Sequence, residues 1–165
     1  MKGRTVKMAK YVKLENLPEL INVPPKLGHH SDVFTDTEYE KGLAIKFGIN
    51  DTVCGSKRIS MGRTIIPAHT ANERHVHLSA EAAMYIVRGT MTLFLGPEAT
   101  ITKCPPGTFV FAPEGIIHGV ANASRTDEVE LVFAYGGVPS KEAANIIFID
   151  DSENDYPPPG WDAEE

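Results

Sequence analysis

The chain has 165 residues, 42% of them hydrophobic and 23% charged, which suits one buried core and excludes disorder throughout. No apolar run approaches the roughly 18 residues of a membrane-spanning helix, and no signal-peptide core follows the N-terminus, so a cytoplasmic protein with no membrane partner is expected. The net charge of −6 sits in the last residues, where Asp150, Asp151, Glu153, Asp155, Asp162, Glu164 and Glu165 face no base; the remainder balances at 16 − 15 = +1. A body without a basic stripe argues against a nucleic-acid partner.

In chain order, the basic stretch with Lys2, Arg4, Lys7, Lys10 and Lys13 reads as a solvated terminus, and 16–21 as a turn of helix. His29 and His30, flanked by Pro and Gly, read as an exposed loop. Short β-branched or aromatic runs then recur at 44–48, 57–66, 83–88, 91–95, 108–111, 119–121 and 128–134, with a further strand near 100–103. Gly96-Pro97 and Pro105-Pro106-Gly107 punctuate them, because Pro supplies no ladder donor and Gly accepts turn geometry. A turn of helix near 140–144 and an apolar run at 146–149 lead into Pro157-Pro158-Pro159, where the acidic composition predicts a flexible tail. The pattern is all-β, a sandwich or barrel. Cys54 and Cys104 have neither metal-knuckle nor redox spacing and read as inert, reduced thiols.

The chemistry lies in the histidines. His75 and His77 are two apart, so on a strand both imidazoles project from one face and can reach one ion. His118 lies in a stretch that reads G-x5-P-x-G-x2-H-x3-N from Gly107 through Pro113 and Gly115 to Asn122. His75, His77 and Gly89 match most of a second pattern, G-x5-H-x-H-x3–4-E-x6-G, with seventeen residues between Gly89 and Gly107. Together these resemble the two signatures of the cupin superfamily, in its small single-domain form. The resemblance implies a double-stranded β-helix (jelly roll) in which His75, His77 and His118 converge on a divalent metal.

Two positions depart from that pattern. His69 stands where a turn glycine belongs, which either reshapes a loop or brings another imidazole to the pocket mouth. The ligand carboxylate is ambiguous: seven places before Gly89 stands Ala82, whereas a three-residue gap after His77 selects Glu81. Regular pleating from Gly89 puts Ala82 inward, and a bulge would turn Glu81 inward instead. Glu73, two before His75, is a further source of the missing carboxylate. Glu81 and Glu73 are therefore the candidates for proton transfer or a fourth ligand.

Three imidazoles suit Fe, Zn, Ni or other transition ions rather than Mg or Ca. The resemblance favours Fe(II) and a dioxygenase acting on a small organic substrate that chelates the metal. A non-redox isomerase, lyase or cyclase using Zn, Mn or Ni is the alternative, and a non-catalytic small-molecule-binding cupin is a third reading. Met84, Ile86, Phe109 or Phe111, and Val120 are candidates for an apolar pocket lining, with Tyr85 on the opposite face and Arg88 solvated. The expected organisation is an N-terminal extension with added strands at 1–56, a core barrel at 57–135, a packing segment at 136–149 and the tail at 150–165. The extension is expected to pair with a second copy as a homodimer, since an exposed sheet edge invites pairing.

Overall fold

The computed structural model describes Lys13 and residues 25–163; the expected turn of helix over 16–21 lies outside them. Eleven strands form two antiparallel sheets: β1 (Ala44–Ile49), β2 (Ile59–Ile66), β3 (Thr70–Ala71), β4 (His75–His77), β5 (Glu81–Arg88), β6 (Met91–Leu95), β7 (Thr100–Cys104), β8 (Phe109–Ala112), β9 (His118–Asn122), β10 (Val129–Gly136) and β11 (Ile146–Phe148). The first sheet runs β1-β2-β10-β5-β8 and the second β11-β4-β9-β6-β7, with β3 also paired to β9. This is the double-stranded β-helix that the motifs imply. β1 of the N-terminal extension pairs with β2 of its own chain.

Period-two patterning explains the first sheet. Val129, Leu131, Phe133 and Tyr135 of β10 and Ala82, Met84 and Ile86 of β5 are buried between the sheets, while the residues between them face outward. Gly89 ends β5 at φ +74°, and a Cβ there would lie 2.7 Å from the Glu128 carbonyl oxygen, so the chain passes too close to the start of β10 for any side chain. The one α-helix among the described residues, α1 (Asp51–Cys54), is too short to show periodicity; Asn50 caps its N-terminus through Val53 N and Gly55 closes it at φ +77°. Cys104 is buried and Cys54 half-buried, both free.

The tail departs from expectation. Instead of extending into solvent, it straps across the second sheet. Asp151 takes a bidentate contact from Arg74, whose side chain is only 6% exposed and whose remaining nitrogen reaches the Gly96 and Pro97 carbonyls. Tyr156 packs edge-on against Phe94, donates its hydroxyl to the Asn72 carbonyl and lies under the Arg74 guanidinium. Gly119 makes room for it: a Cβ there would fall 2.3 Å from the Tyr156 oxygen. Acid- and Pro-rich composition hid these anchors, because two aromatics and one well-placed carboxylate outweigh the average character of the segment.

His69 also receives a structural explanation. It takes the left-handed backbone conformation, φ 49°, that a glycine would take, and its ring stacks on Trp161 of the strap at 5.3 Å. It does not reach the barrel interior. No helix among the described residues is long and apolar enough to cross a membrane.

Candidate metal centre

β4 and β9 are neighbours in the second sheet, and their register sets His75 directly opposite His118. His77, two residues along β4, lies on the same inward face. The three ring centroids are 4.5–5.2 Å apart, and one nitrogen from each ring can be chosen so that all lie within 4.8 Å of one another. All three side chains are buried.

Two of the rings are held in a defined tautomer. His75 Nδ1 is 3.1 Å from the Glu73 carbonyl oxygen and His118 Nδ1 is 3.0 Å from the Ile116 carbonyl oxygen. A carbonyl only accepts, so each Nδ1 carries the proton and each Nε2 keeps a free lone pair. His77 has neither nitrogen hydrogen-bonded, although both are buried. A buried polar atom without a partner costs on the order of 1–3 kcal/mol, and a cation beside it would remove that cost. Burial lowers the imidazole pKa values to about 4 for His75, about 3 for His77 and about 4 for His118, with the neighbouring rings adding to the effect at His77 and His118. All three are neutral at pH 7, the form that binds a transition ion. The donor set fits such an ion.

These depressed values predict acid lability of the metal-free protein. An unfolded histidine takes up a proton near pH 6.5, whereas the folded ones resist until about pH 4, so the stability from keeping them neutral is present above pH 6.5 and lost as the pH falls. Each proton contributes a slope of ~1.4 kcal/mol per pH unit. Unfolding free energies measured from pH 7 to 4 should therefore fall with a slope approaching three protons. A buried carboxyl whose pKa is raised works the other way and trims that slope.

That carboxyl is Glu40. The turn at 37–42 closes one end of a cavity of about 40 Å³, and Glu40 lines it together with the three histidines, Thr64 and Tyr135. Leu43, Ala82, Met84, Val120, Leu131 and Phe133 complete the wall. Asn72 donates Nδ2 to Glu40 while its Oδ1 accepts from Val120 N, so the carboxyl is tied to the strand that carries His118. Burial raises the Glu40 pKa, only partly offset by the Asn72 hydrogen bond and the nearby His118 ring. Tyr135 sits edge-on to His77 at 4.7 Å, with its hydroxyl 3.5 Å from that of Tyr39.

No family model and no curated protein sequence matches the chain. Solved structures do. The polyketide cyclase RemF from Streptomyces resistomycificus superposes with a TM-score of 0.64 at 19% identity, over 84% of this chain and 96% of that one. Oxalate decarboxylase from Bacillus subtilis gives 0.61 at 15% identity, over 73% of this chain and 31% of its own length. An uncharacterized protein with a double-stranded β-helix domain from Klebsiella pneumoniae gives 0.59 at 12% identity, over 77% and 99%. The chain has the cupin fold.

Within this cupin barrel the carboxylate candidates are corrected. Ala82 is the inward residue and lines the cavity, while Glu81 is exposed on the outer face, because β5 alternates without interruption from Glu81 to Ile86, its register shift against β10 falling beyond them between Ile86 and Arg88. Glu73 is exposed too: it precedes β4, and only its carbonyl oxygen serves the site. Of the proposed lining, Met84 and Val120 face the cavity and Ile86 is buried beside it in the core. Phe109 and Phe111 point outward, since Val110 and Ala112 take the inner positions of β8. His29 and His30 are exposed, as expected of a loop. Arg88 is half-exposed near Glu128 and Glu130 rather than at the cavity.

Proposed function

We propose that this cupin is a metal-dependent enzyme that moves a proton on a small, oxygen-bearing organic substrate. His75, His77 and His118 hold the divalent transition ion, and Glu40 is the acid–base group. The observation that carries this reading is a buried carboxyl lining the same small cavity as three neutral imidazoles. When bound, the ion supplies Lewis acidity, polarising a substrate carbonyl so that an adjacent C–H becomes acidic. The Glu40 carboxylate accepts that proton and returns it to another substrate atom, leaving the carboxyl unchanged over the cycle. Burial suits it to the task, because a raised pKa narrows the gap to a carbon acid. Asn72 fixes its orientation, and the apolar wall of Met84, Leu131 and Phe133 keeps bulk water away. The free thiols Cys54 and Cys104 fit a reducing cytoplasm.

The donor set favours a second reading. With Ala82 where a carboxylate ligand would stand, three neutral imidazoles leave the full charge of an Fe(II) ion uncompensated and positions open for substrate, as a dioxygenase requires.

Deuterium exchange separates the two. Protein loaded with Zn²⁺, Mn²⁺, Ni²⁺ or Fe²⁺ is incubated in D2O with small diketones and 2-oxo or 2-hydroxy acids, and exchange at carbon is followed by NMR. Proton transfer predicts exchange that Glu40→Gln slows about 10²–10⁴-fold with metal content unchanged. Oxygen uptake confined to the iron form, insensitive to Glu40→Gln, would replace that reading with the second.

A further inference from the structure

Thr64 is a polar group on the cavity wall that proton transfer leaves without a role. It lines the cavity from β2 in the first sheet, whereas the three histidines line it from β4 and β9 in the second. Facing sheets lie about 10 Å apart, so Thr64 and the histidines stand on opposite walls of one small space. Of the inward positions of β2, Ser60, Gly62, Thr64 and Ile66, only Thr64 reaches the cavity. It is 4% exposed, and its hydroxyl makes no hydrogen bond with any described residue. Tyr135, the other hydroxyl on the wall, already meets that of Tyr39. A buried hydroxyl without a partner lowers stability, and valine would fill the same space on a strand without that cost. A ligand oxygen would supply the missing partner.

Size and charge bound that ligand. A cavity of about 40 Å³ has room for about three waters, or about five covalently bonded non-hydrogen atoms. Glu40 is the one carboxyl among the residues lining it, and none of them is Lys or Arg. A charge on the substrate away from the metal would therefore be buried unpaired. The shortest skeleton that carries two uncharged oxygens and an acidic C–H beside a carbonyl is a 2-hydroxy ketone.

We propose that Thr64 determines specificity: its hydroxyl binds a second, uncharged oxygen of a small 2-hydroxy ketone whose carbonyl the histidine-held ion polarises. The inference rests on the proton-transfer reading for the chemistry, but recognition by Thr64 is measured without it. A site that hydrogen-bonds a substrate hydroxyl also rejects the analogue that lacks it, because its own polar group is then left unpaired.

Hydroxyacetone and butanone test this, since they share a shape and differ only in a hydroxyl against a methyl. NMR titration of each into the full chain carrying Glu40→Gln and loaded with Zn²⁺ reads binding without turnover. Hydroxyacetone should bind about 10-fold more tightly than butanone. Adding Thr64→Val should bring hydroxyacetone to the level of butanone, leave butanone unchanged and preserve the circular dichroism spectrum, while Thr64→Ser keeps the preference. A preference that survives Thr64→Val would overturn the proposal, and so would equal affinity for the two ketones or binding of neither. Exchange of the hydroxyacetone C–H protons in D2O, followed on the Zn²⁺-loaded protein with Glu40 intact, reports on the chemistry separately. Binding that depends on Thr64 but brings no exchange would remove the proton-transfer reading and leave the role of Thr64 standing.

Discussion

Replacing His77 with methionine should raise the stability of the metal-free protein by about 1–3 kcal/mol and lower its affinity for Zn²⁺ or Co²⁺ by at least about 100-fold. The two effects share one cause. His77 holds two ring nitrogens in the core with no hydrogen-bond partner, so the folded protein bears their desolvation without return until a cation arrives. Methionine has a similar volume, has no strong polar atom and packs well against the edge of Tyr135, which lies 4.7 Å from the His77 ring. A histidine kept for packing would behave in the opposite way, and its replacement would cost stability. Urea unfolding of the apoprotein at pH 7, paired with calorimetric titration of the metal, measures both quantities. A protein that is destabilised yet binds metal as before would remove His77 from the site. Gains in stability on losing a polar core residue are characteristic of positions held for function.

The second large effect concerns the C-terminal strap. Asp151→Ala should destabilise the protein by about 3–5 kcal/mol, because Arg74 is buried and its charge would lose its carboxylate, keeping the Gly96 and Pro97 carbonyls and the Tyr156 ring. Part of the loss should spread. Arg74 lies over the Tyr156 ring, Tyr156 donates to the Asn72 carbonyl, and Asn72 holds Glu40, so loosening the strap loosens the cavity's carboxyl. Asp151→Asn keeps acceptor and shape and should lose distinctly less. Equilibrium unfolding in urea measures the difference, and losses below about 1 kcal/mol for the alanine variant would mean that the pair behaves like an exposed one.

How much of this was legible in the sequence depended on whether the signal was local. The histidine trio was legible because a strand's period of two fixes His75 and His77 on one face and a spaced turn motif carries His118. The choice between Ala82 and Glu81 was legible only as alternatives, since it turned on whether a bulge reached that end of the strand; the register shift lies between Ile86 and Arg88, and the alternation from Ile86 back leaves Ala82 inside. Glu40 was not. It lies thirty-five residues before His75, in a turn with no periodicity, and only the closure of the barrel mouth brings it to the cavity. Buried Asn72 marks it from the other side, but an asparagine between strands reads equally well as a turn residue. The strap was hidden by composition, since acids and prolines outnumber the two aromatics that dock it. Hydrophobicity alone makes Phe109 or Phe111 a candidate for the lining; the pleat places both outward, with Val110 and Ala112 on the inner side.

His75, His77 and His118 are expected to bind one transition ion together. X-ray absorption at the zinc edge, on protein loaded with one equivalent of Zn²⁺, tests it most directly. Three imidazole nitrogens at about 2.0–2.1 Å are expected, with loss of one imidazole from the shell in the His118→Ala variant. A shell of oxygen donors without imidazole scattering, or one unchanged by that substitution, would contradict it.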